Sequence, residues 1–281
     1  MAEQRRKVVF ISGASSGIGN SCAAFLAKKG FIVYGTSRNP SKAQRKADEF
    51  FNLLPMDILD GESVRQAVAS VLDKEGCIDL LLCNAGMGIA GPAEETPLED
   101  AQRQMDTNFL GAVRLIQETL PAMRKAGRGM ILVTSSIGGR IGLPFQAFYS
   151  ASKFALEGFV DALRMEIKHF GVQAALIEPG DFRSGFTASR NKLATEEGGP
   201  YAELAAAALN KAEADENGGA DPVAIARLVH KLALSERLKP RYTVGSFAQR
   251  LAVVLKDFLP DTLVERGVMS YYGMARRTPR R

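Results

Sequence analysis

Lys7-Val8-Val9-Phe10-Ile11-Ser12-Gly13-Ala14-Ser15-Ser16-Gly17-Ile18-Gly19 carries a short apolar run directly into three glycines. The run from Lys7 to Ser12 reads as a buried strand. Residues 20–29 then repeat their apolar positions with helical spacing. Strand, glycine-rich turn and helix, in that order, is the setting in which a glycine motif binds a dinucleotide. The glycines let the backbone turn and approach a pyrophosphate, which sits at the positive N-terminus of the helix. Gly13, Ser15, Ser16, Gly17, Ile18 and Gly19 are the candidate phosphate-binding residues. Their spacing is G-x-x-x-G-x-G rather than the commoner G-x-G-x-x-G, and by itself such a motif is also compatible with an ordinary turn.

Working outward, residues 31–37 read as a second strand, stopping at Ser37-Arg38-Asn39-Pro40. In dinucleotide folds this strand end meets the adenosine ribose, where an acid accepts from free hydroxyls and an arginine pairs with a 2′-phosphate. Residues 36–40 hold no acid and one arginine, so Ser37 and Arg38 point to NADP rather than NAD; the alternative is that Arg38 solvates a loop. Residues 51–56 read as a third strand, with Asp57 and Ile58 at its end, where an adenine would lie. A helix over 62–75 and a strand over 78–83 lead to Asn84-Ala85-Gly86. Asn84 reads equally as a ligand-facing group and as a structural bridge between strands.

The alternation continues: a long helical stretch over 97–125, a strand over 130–135, a helix to about His169 and a strand over 172–178 ending in Pro179-Gly180. This rhythm predicts an α/β fold, a single doubly wound parallel sheet of Rossmann type with helices on both faces. Ligands of such sheets bind at the carboxyl ends of the strands. Asn108 and Gly111 both weaken the long helix locally, and a water-holding kink would be one reason to tolerate them.

The composition is that of an ordinary globular chain: 281 residues, 46% hydrophobic and 24% charged. One domain over 1–281 is expected. Three cysteines without a CxxC pair suit a reduced, cytoplasmic setting, and two distant histidines argue against a metal site. Of the net charge of +5, four units are Arg276, Arg277, Arg280 and Arg281, which leaves the rest close to neutral at +1. Nothing there demands nucleic acid, and the four arginines read either as a basic tail or as weak contact with an anionic surface. The apolar run at 8–11 is too short for a signal peptide or membrane span.

Tyr149-Ser150-Ala151-Ser152-Lys153 places a phenol and an ammonium four residues apart, hence on one helix face. A nearby ammonium favours the phenolate and lowers a tyrosine pKa. Taken alone, the pair is also what a solvated helix face would show.

Together these elements resemble the short-chain dehydrogenase/reductase family. Ser12-Gly13-x-x-x-Gly17-x-Gly19, Asn84-Ala85-Gly86, Asn108, Ser136, Tyr149-x-x-x-Lys153 and Pro179-Gly180 fall in the family's order across about residues 7–185. Residues 84–92 and 142–158 look like the 17-beta-hydroxysteroid and retinol dehydrogenase branch. The resemblance implies a catalytic set of Asn108, Ser136, Tyr149 and Lys153. Tyr149 would exchange a proton with the substrate oxygen, and Ser136, preferred over Ser135 by its spacing to Tyr149, would hydrogen-bond that oxygen. Lys153 would lower the Tyr149 pKa and hold the nicotinamide ribose, while Asn108 would anchor a water. Asn84, Ala85, Gly86, Pro179, Gly180, Phe182 and Ser184 would complete the cofactor site, with Ser184 where the family usually has threonine.

The implied activity is NADP-dependent interconversion of an alcohol and its ketone or aldehyde, probed against a small-ketone or acyl-carrier reductase and a non-catalytic NADP-binding sensor. Ile141, Leu143, Phe145, Phe148, Met87 and Ile89 read either as an apolar substrate wall or as core; a wall would favour a lipophilic, steroid- or retinoid-like substrate. A substrate lid is expected over about 183–219 and a C-terminal extension over about 247–281. The extension reads as helix packing or subunit contact, with membrane-surface contact as the rival. By resemblance the long helices would pair subunits into a homodimer or homotetramer.

Overall fold

The computed structural model describes residues 5–42, 50–193 and 198–274. The first half of the chain forms β1 (Val8–Ile11), α1 (Gly17–Lys28), β2 (Ile32–Ser37), β3 (Asn52–Pro55), α2 (Gly61–Glu75), β4 (Leu80–Cys83) and β5 (Ile89–Ala90), then α3 (Leu98–Met105) and α4 (Gly111–Ala126). The second half forms β6 (Gly129–Thr134), α5 (Ala147–Ile167), β7 (Val172–Pro179), α6 (Phe186–Ser189), β8 (Asn191–Lys192), α7 (Ala202–Asn217), α8 (Val223–Ala233), β9 (Arg241–Val244), α9 (Phe247–Lys256) and α10 (Asp261–Tyr271).

Seven strands make one parallel sheet in the order β3-β2-β1-β4-β6-β7-β9. Strand side chains alternate between faces, so Val8 and Phe10 join the layer under α2, α4 and α5, while Val9 and Ile11 join the layer under α1 and α8. Both faces are covered, which is why β1 and β4 are buried throughout and read as unbroken apolar runs. The strand order reverses between β1 and β4, and the crevice at that switch point lies beside the glycine turn. The expected Rossmann-type sheet is the one observed.

Two local features differ from the sequence reading, and a third falls where a kink at Asn108 is expected. Helix α1 starts at Gly17, three residues before the helical periodicity shows, because two glycines in its first turn carry no apolar pattern. The long stretch at 97–125 is interrupted between α3 and α4 by a π-helical turn, Asp106–Leu110, centred on Asn108. Two residues each of β5 and β8 pair in parallel as a small second sheet, too short to leave a pattern in the sequence. No helix among the described residues is long and apolar enough to cross a membrane.

Candidate active site

A cleft of about 1690 Å³ follows the carboxyl ends of the strands. At one end is the glycine turn. Gly13 (φ 69°) and Gly17 (φ 58°) hold left-handed backbone, and a Cβ on Gly13 would stand 2.9 Å from Ala85 Cα. A Cβ on Gly17 would stand 2.5 Å from the Ser184 carbonyl oxygen, so the turn lies directly beneath the segment after β7. Ser16 caps α1 without a side-chain hydrogen bond, and no acid occupies the first turn. The helix N-terminus therefore keeps its positive end available to an anion. This cradle fits a dinucleotide pyrophosphate.

Of the turn residues, Gly13, Ser15, Ser16, Gly17 and Ile18 line the cleft. Gly19 lies behind the turn, where a Cβ would meet the Gly13 carbonyl at 2.2 Å. Gly19 shapes the cradle from below. Asn84 resolves toward its structural reading. Its Nδ2 donates to the Ser12 and Gly13 carbonyls at 3.3 and 3.2 Å, and Ser12 Oγ accepts from the Asn84 and Ala85 N–H groups. These bonds tie the end of β4 to the glycine turn, while Asn84, Ala85 and Gly86 still form cleft wall.

Ser37 and exposed Arg38 line the cleft beyond the turn, with Asp57 and Ile58 across from them. The Asp57 carboxylate accepts from the Leu59 N–H at 3.0 Å, which fixes it at the end of β3.

At the other end stands Tyr149, in the first turn of α5. The Tyr149 phenol neighbours Ser136, whose hydroxyl donates to the Pro179 carbonyl at 3.5 Å. Ser136 is held in place by accepting from the Gly138 N–H at 3.0 Å, and Gly138 packs against both residues. Ser135, the rival, faces Glu157 instead. Lys153 is buried and donates to the Thr134 carbonyl at 2.9 Å, with its ammonium 5.7 Å from the Tyr149 ring centre.

The expectation that Lys153 lowers the Tyr149 pKa does not hold in this structure. Burial pushes the phenol up, against the pull of the neighbouring Ser136 hydroxyl. Burial also pushes the Lys153 ammonium down, to about 8. Both groups are stripped of water, and desolvation is the largest cause of each shift.

Asn108 is hydrogen-bonded to its protein neighbours. It does not face the cleft: its Oδ1 accepts from the Met87 N–H at 2.8 Å, and its Nδ2 donates to the Met87 carbonyl and Ser152 Oγ, both at 3.0 Å. From the π-helical turn it locks the chain after β4 to α5. That accounts for a poor helix former in a helix interior.

Pro179, Gly180, Phe182 and Ser184 all reach the cleft wall, although the Phe182 ring itself belongs to the core. A Cβ on Gly180 would stand 2.2 Å from Gln249 Oε1, so this glycine admits α9 to the site. Gln249 also donates to the Asp181 carboxylate. Asp181 is pushed up to about 6, first by burial and then by Asp215 and Glu216.

Within the segment 183–219 expected as a lid, sequence reasoning did not single out the residues that cover Tyr149. The Phe186 ring lies 5.6 Å from that of Tyr149, and the Arg190 guanidinium lies 5.5 Å from Phe186. Arg190 is fully buried at its side chain and pairs with Glu216 of α7, which Thr187 also contacts. Tyr271, Leu263 and Val268 of α10 line the far end of the cleft, so the C-terminal helices belong to the site. Ile141, Leu143 and Met87 form wall, whereas Ile89 is core and Phe145 and Phe148 are absent from the lining. Among the described residues no group of three or more His, Cys, Asp or Glu side chains could hold a metal.

A parallel sheet with a glycine cradle at its switch point and a tyrosine–serine pair in the same cleft defines a dinucleotide-dependent oxidoreductase. The sequence pattern of the short chain dehydrogenase family matches residues 7–194, and the chain belongs to that family. It is 40% identical over 269 residues to a 3-ketodihydrosphingosine reductase of Bacteroides thetaiotaomicron, covering 95% of this chain and 98% of the relative. It is 41% identical to estradiol 17-beta-dehydrogenase 1 of Rattus norvegicus, over 70% of this chain but only 58% of that one. Among solved structures, a metagenomic short-chain oxidoreductase in complex with NADP superposes with a TM-score of 0.66 at 25% identity, covering 85% of this chain and 96% of that one.

Proposed function

We propose that this chain is an NADP-dependent reductase of a ketone carried on a long apolar body, a keto lipid of the 3-ketodihydrosphingosine kind. The observation that carries it is the placing of Tyr149, Ser136 and Lys153 in the same cleft as the glycine cradle. Arg38 supports NADP: it lines the cleft at the end of β2, where residues 36–40 offer no acid to a free ribose hydroxyl. Bound NADPH supplies hydride.

Tyr149 delivers the proton to the nascent alkoxide as a general acid. Ser136 donates to the same oxygen and aims the carbonyl. Lys153, buried at the cleft wall, holds the nicotinamide ribose. Asn108 acts at one remove, by fixing Met87 and α5. Gly13 to Ile18 hold the pyrophosphate, Asp57 and Ile58 the adenine, and Gly180, Phe182 and Ser184 the carboxamide end. Residues 183–219 serve as the lid, with Phe186 over Tyr149.

The relative that this chain covers nearly end to end favours a keto-sphingoid substrate, and the apolar far wall at Leu259, Leu263 and Val268 suits an alkyl chain. A steroid ketone is the second reading, favoured by the estradiol dehydrogenase likeness over the first 70% of the chain. Pairing of subunits through the long helices fits the exposed Leu98, Phe154 and Met165 upon them. The test is NADPH oxidation against 3-ketodihydrosphingosine, a steroid ketone, retinal and a small aromatic ketone. Tyr149→Phe should abolish turnover with NADPH binding intact; retained turnover in that variant refutes the mechanism.

A further inference from the structure

Behind Tyr149 lies a group of buried charges that the reduction described above leaves unused. Glu157 stands one turn after Lys153 on α5, so the two share a helix face, and only 5% and 6% of them reach solvent. A Cβ on Gly139 would stand 2.6 Å from Ser135 Oγ and 3.1 Å from the Lys153 carbonyl oxygen, so this glycine brings Ser135 against the same turn of α5. Ser135 neighbours Glu157, yet among the described residues neither Ser135 Oγ nor Glu157 Oε1 has a hydrogen-bond partner. The other carboxylate oxygen, Oε2, accepts from Nε of Arg241 on β9 at 2.8 Å. Arg241 also pairs with Asp161 of α5, and its Nε lies 3.5 Å from Glu178, a fully buried carboxylate of β7 that accepts from Thr243 and Arg140.

We propose that Glu157 is a positioning residue: its buried carboxylate keeps Lys153 an ammonium at the cleft wall, and Arg241 keeps that carboxylate ionised. A buried amine without a counter-charge sheds its proton. The Lys153 ammonium donates to the Thr134 carbonyl at 2.9 Å, a neutral group, which leaves its charge to be balanced by an acid. Burial pushes the ammonium down, and Glu157 pushes it up. Arg241 does for Glu157 what Glu157 does for Lys153. Burial pushes the carboxyl up, with Glu178 adding to it, while Ser135 and the charge-assisted bond from Arg241 draw it back. The other charges around α5 are committed elsewhere: Arg140 spans Glu178 and Asp257, Asp106 of the π-helical turn pairs with Arg114, and Arg103 of α3 pairs with Asp100. The use of the ammonium, at the nicotinamide ribose, rests on the function proposed above; its dependence on Glu157 does not.

The test is a titration of Lys153 itself, followed by nuclear magnetic resonance of the full chain carrying carbon-13 in its lysine side chains; the Lys153 signal is the one that Lys153→Met removes. In Glu157→Gln its midpoint should fall by about one pH unit or more. Glu157→Asp, which keeps the charge, should restore most of that loss. Asp161→Asn also takes a carboxylate from Arg241 but lies a further turn along α5 from Lys153, so it should leave the midpoint in place. If Glu157→Gln does not fold, Glu157→Gln/Arg241→Met is read instead with the same expected fall, because it removes the acid together with the cation that would be orphaned. An unmoved midpoint, or an equal fall in Asp161→Asn, overturns the inference and makes Glu157 a packing residue. A wild type that reduces no ketone, while the midpoint falls in the variant, loses the proposed function and keeps the inference. One that reduces ketones while the midpoint stays does the reverse.

Discussion

The ring of Phe186 lies 5.6 Å from that of Tyr149, centre to centre, at an interplanar angle of 53°. It reaches that position because Gly88 has no side chain: a Cβ there would stand 2.7 Å from the Phe186 ring. Burial is the main cause of the raised Tyr149 pKa, and Phe186 is part of that burial. Phe186→Ala should admit water, so the phenol pKa falls. Reduction needs the protonated phenol, and turnover is lost as pH rises through its pKa. The alkaline limb of the kcat profile should therefore move to lower pH in the variant, with NADPH affinity unchanged. An unmoved limb would show that the ring does not shield the proton donor.

Arg190 stands 5.5 Å from the centre of the Phe186 ring, and it pairs with Glu216. Its side chain is wholly buried, and its Nε and Nη1 have no hydrogen-bond partner. Glu216→Gln would leave a guanidinium buried without its counter-charge, a change that typically costs about 3–5 kcal/mol. The loss should appear as faster hydrogen exchange at 186–193 and as a raised KM. Adding Arg190→Met should recover much of it, because an apolar side chain of similar volume removes the orphaned charge. A double variant as unstable as the single one would assign the effect to packing alone.

The contrast between these residues and the motif residues explains what the sequence can and cannot disclose. Gly13, Gly17, Ser136 and Tyr149 are legible because each is fixed by its neighbours in the chain: a turn after a strand, or a spacing on a helix. Arg190 and Glu216 are 26 residues apart and meet through tertiary packing of two lid helices, with no periodicity to announce them. Asn84 sits between these cases. Its position at a strand end was legible, but its bonds to the Ser12 and Gly13 carbonyls depend on β1 and β4 being neighbours in the sheet. The pKa direction of Tyr149 was illegible for the same reason, since burial is a property of the assembled site.

Gly19 makes that dependence testable. A methyl group there would meet the Gly13 carbonyl at 2.2 Å and Asn84 Nδ2 at 2.6 Å, both held by the sheet. Gly19→Ala must displace the turn, and overpacking of this kind costs about 1–3 kcal/mol. NADPH affinity should fall together with the melting temperature, although Gly19 touches no cleft. Gly61→Ala, at an open helix start with nothing within 4 Å, should leave both nearly unchanged.

Arg38 tests the cofactor choice separately from the chemistry. It is exposed and stands at the cleft wall beside Ser37 and Asn39. Arg38→Asp replaces a partner for the 2′-phosphate by one for free ribose hydroxyls. The kcat/KM with NADPH should drop by about tenfold or more, the loss of a charge-assisted pair of roughly 1.5–3 kcal/mol, while that with NADH holds or rises. Parallel losses with both cofactors would mean that Arg38 supports the loop and reads no phosphate.

Lys153 links the site to the stability of the fold without cofactor. Its pKa is pushed from 10.5 to about 8 by burial, with Glu157 opposing. A base whose folded pKa is depressed sheds its proton on folding, so between about pH 8 and 10.5 the unfolded chain binds more protons and stability rises with pH. A shift of this size corresponds to about 3 kcal/mol across the full window. Tyr149 acts oppositely only at the top of the range: its raised pKa lets the unfolded chain ionise first, from about pH 10 upward. The clean interval is therefore about pH 8 to 10. Over it, the wild-type melting temperature should climb relative to that of Lys153→Met, which carries no proton to lose. Curves that stay parallel would mean that Lys153 remains fully charged in the fold, held by Glu157 and the Thr134 carbonyl against its desolvation.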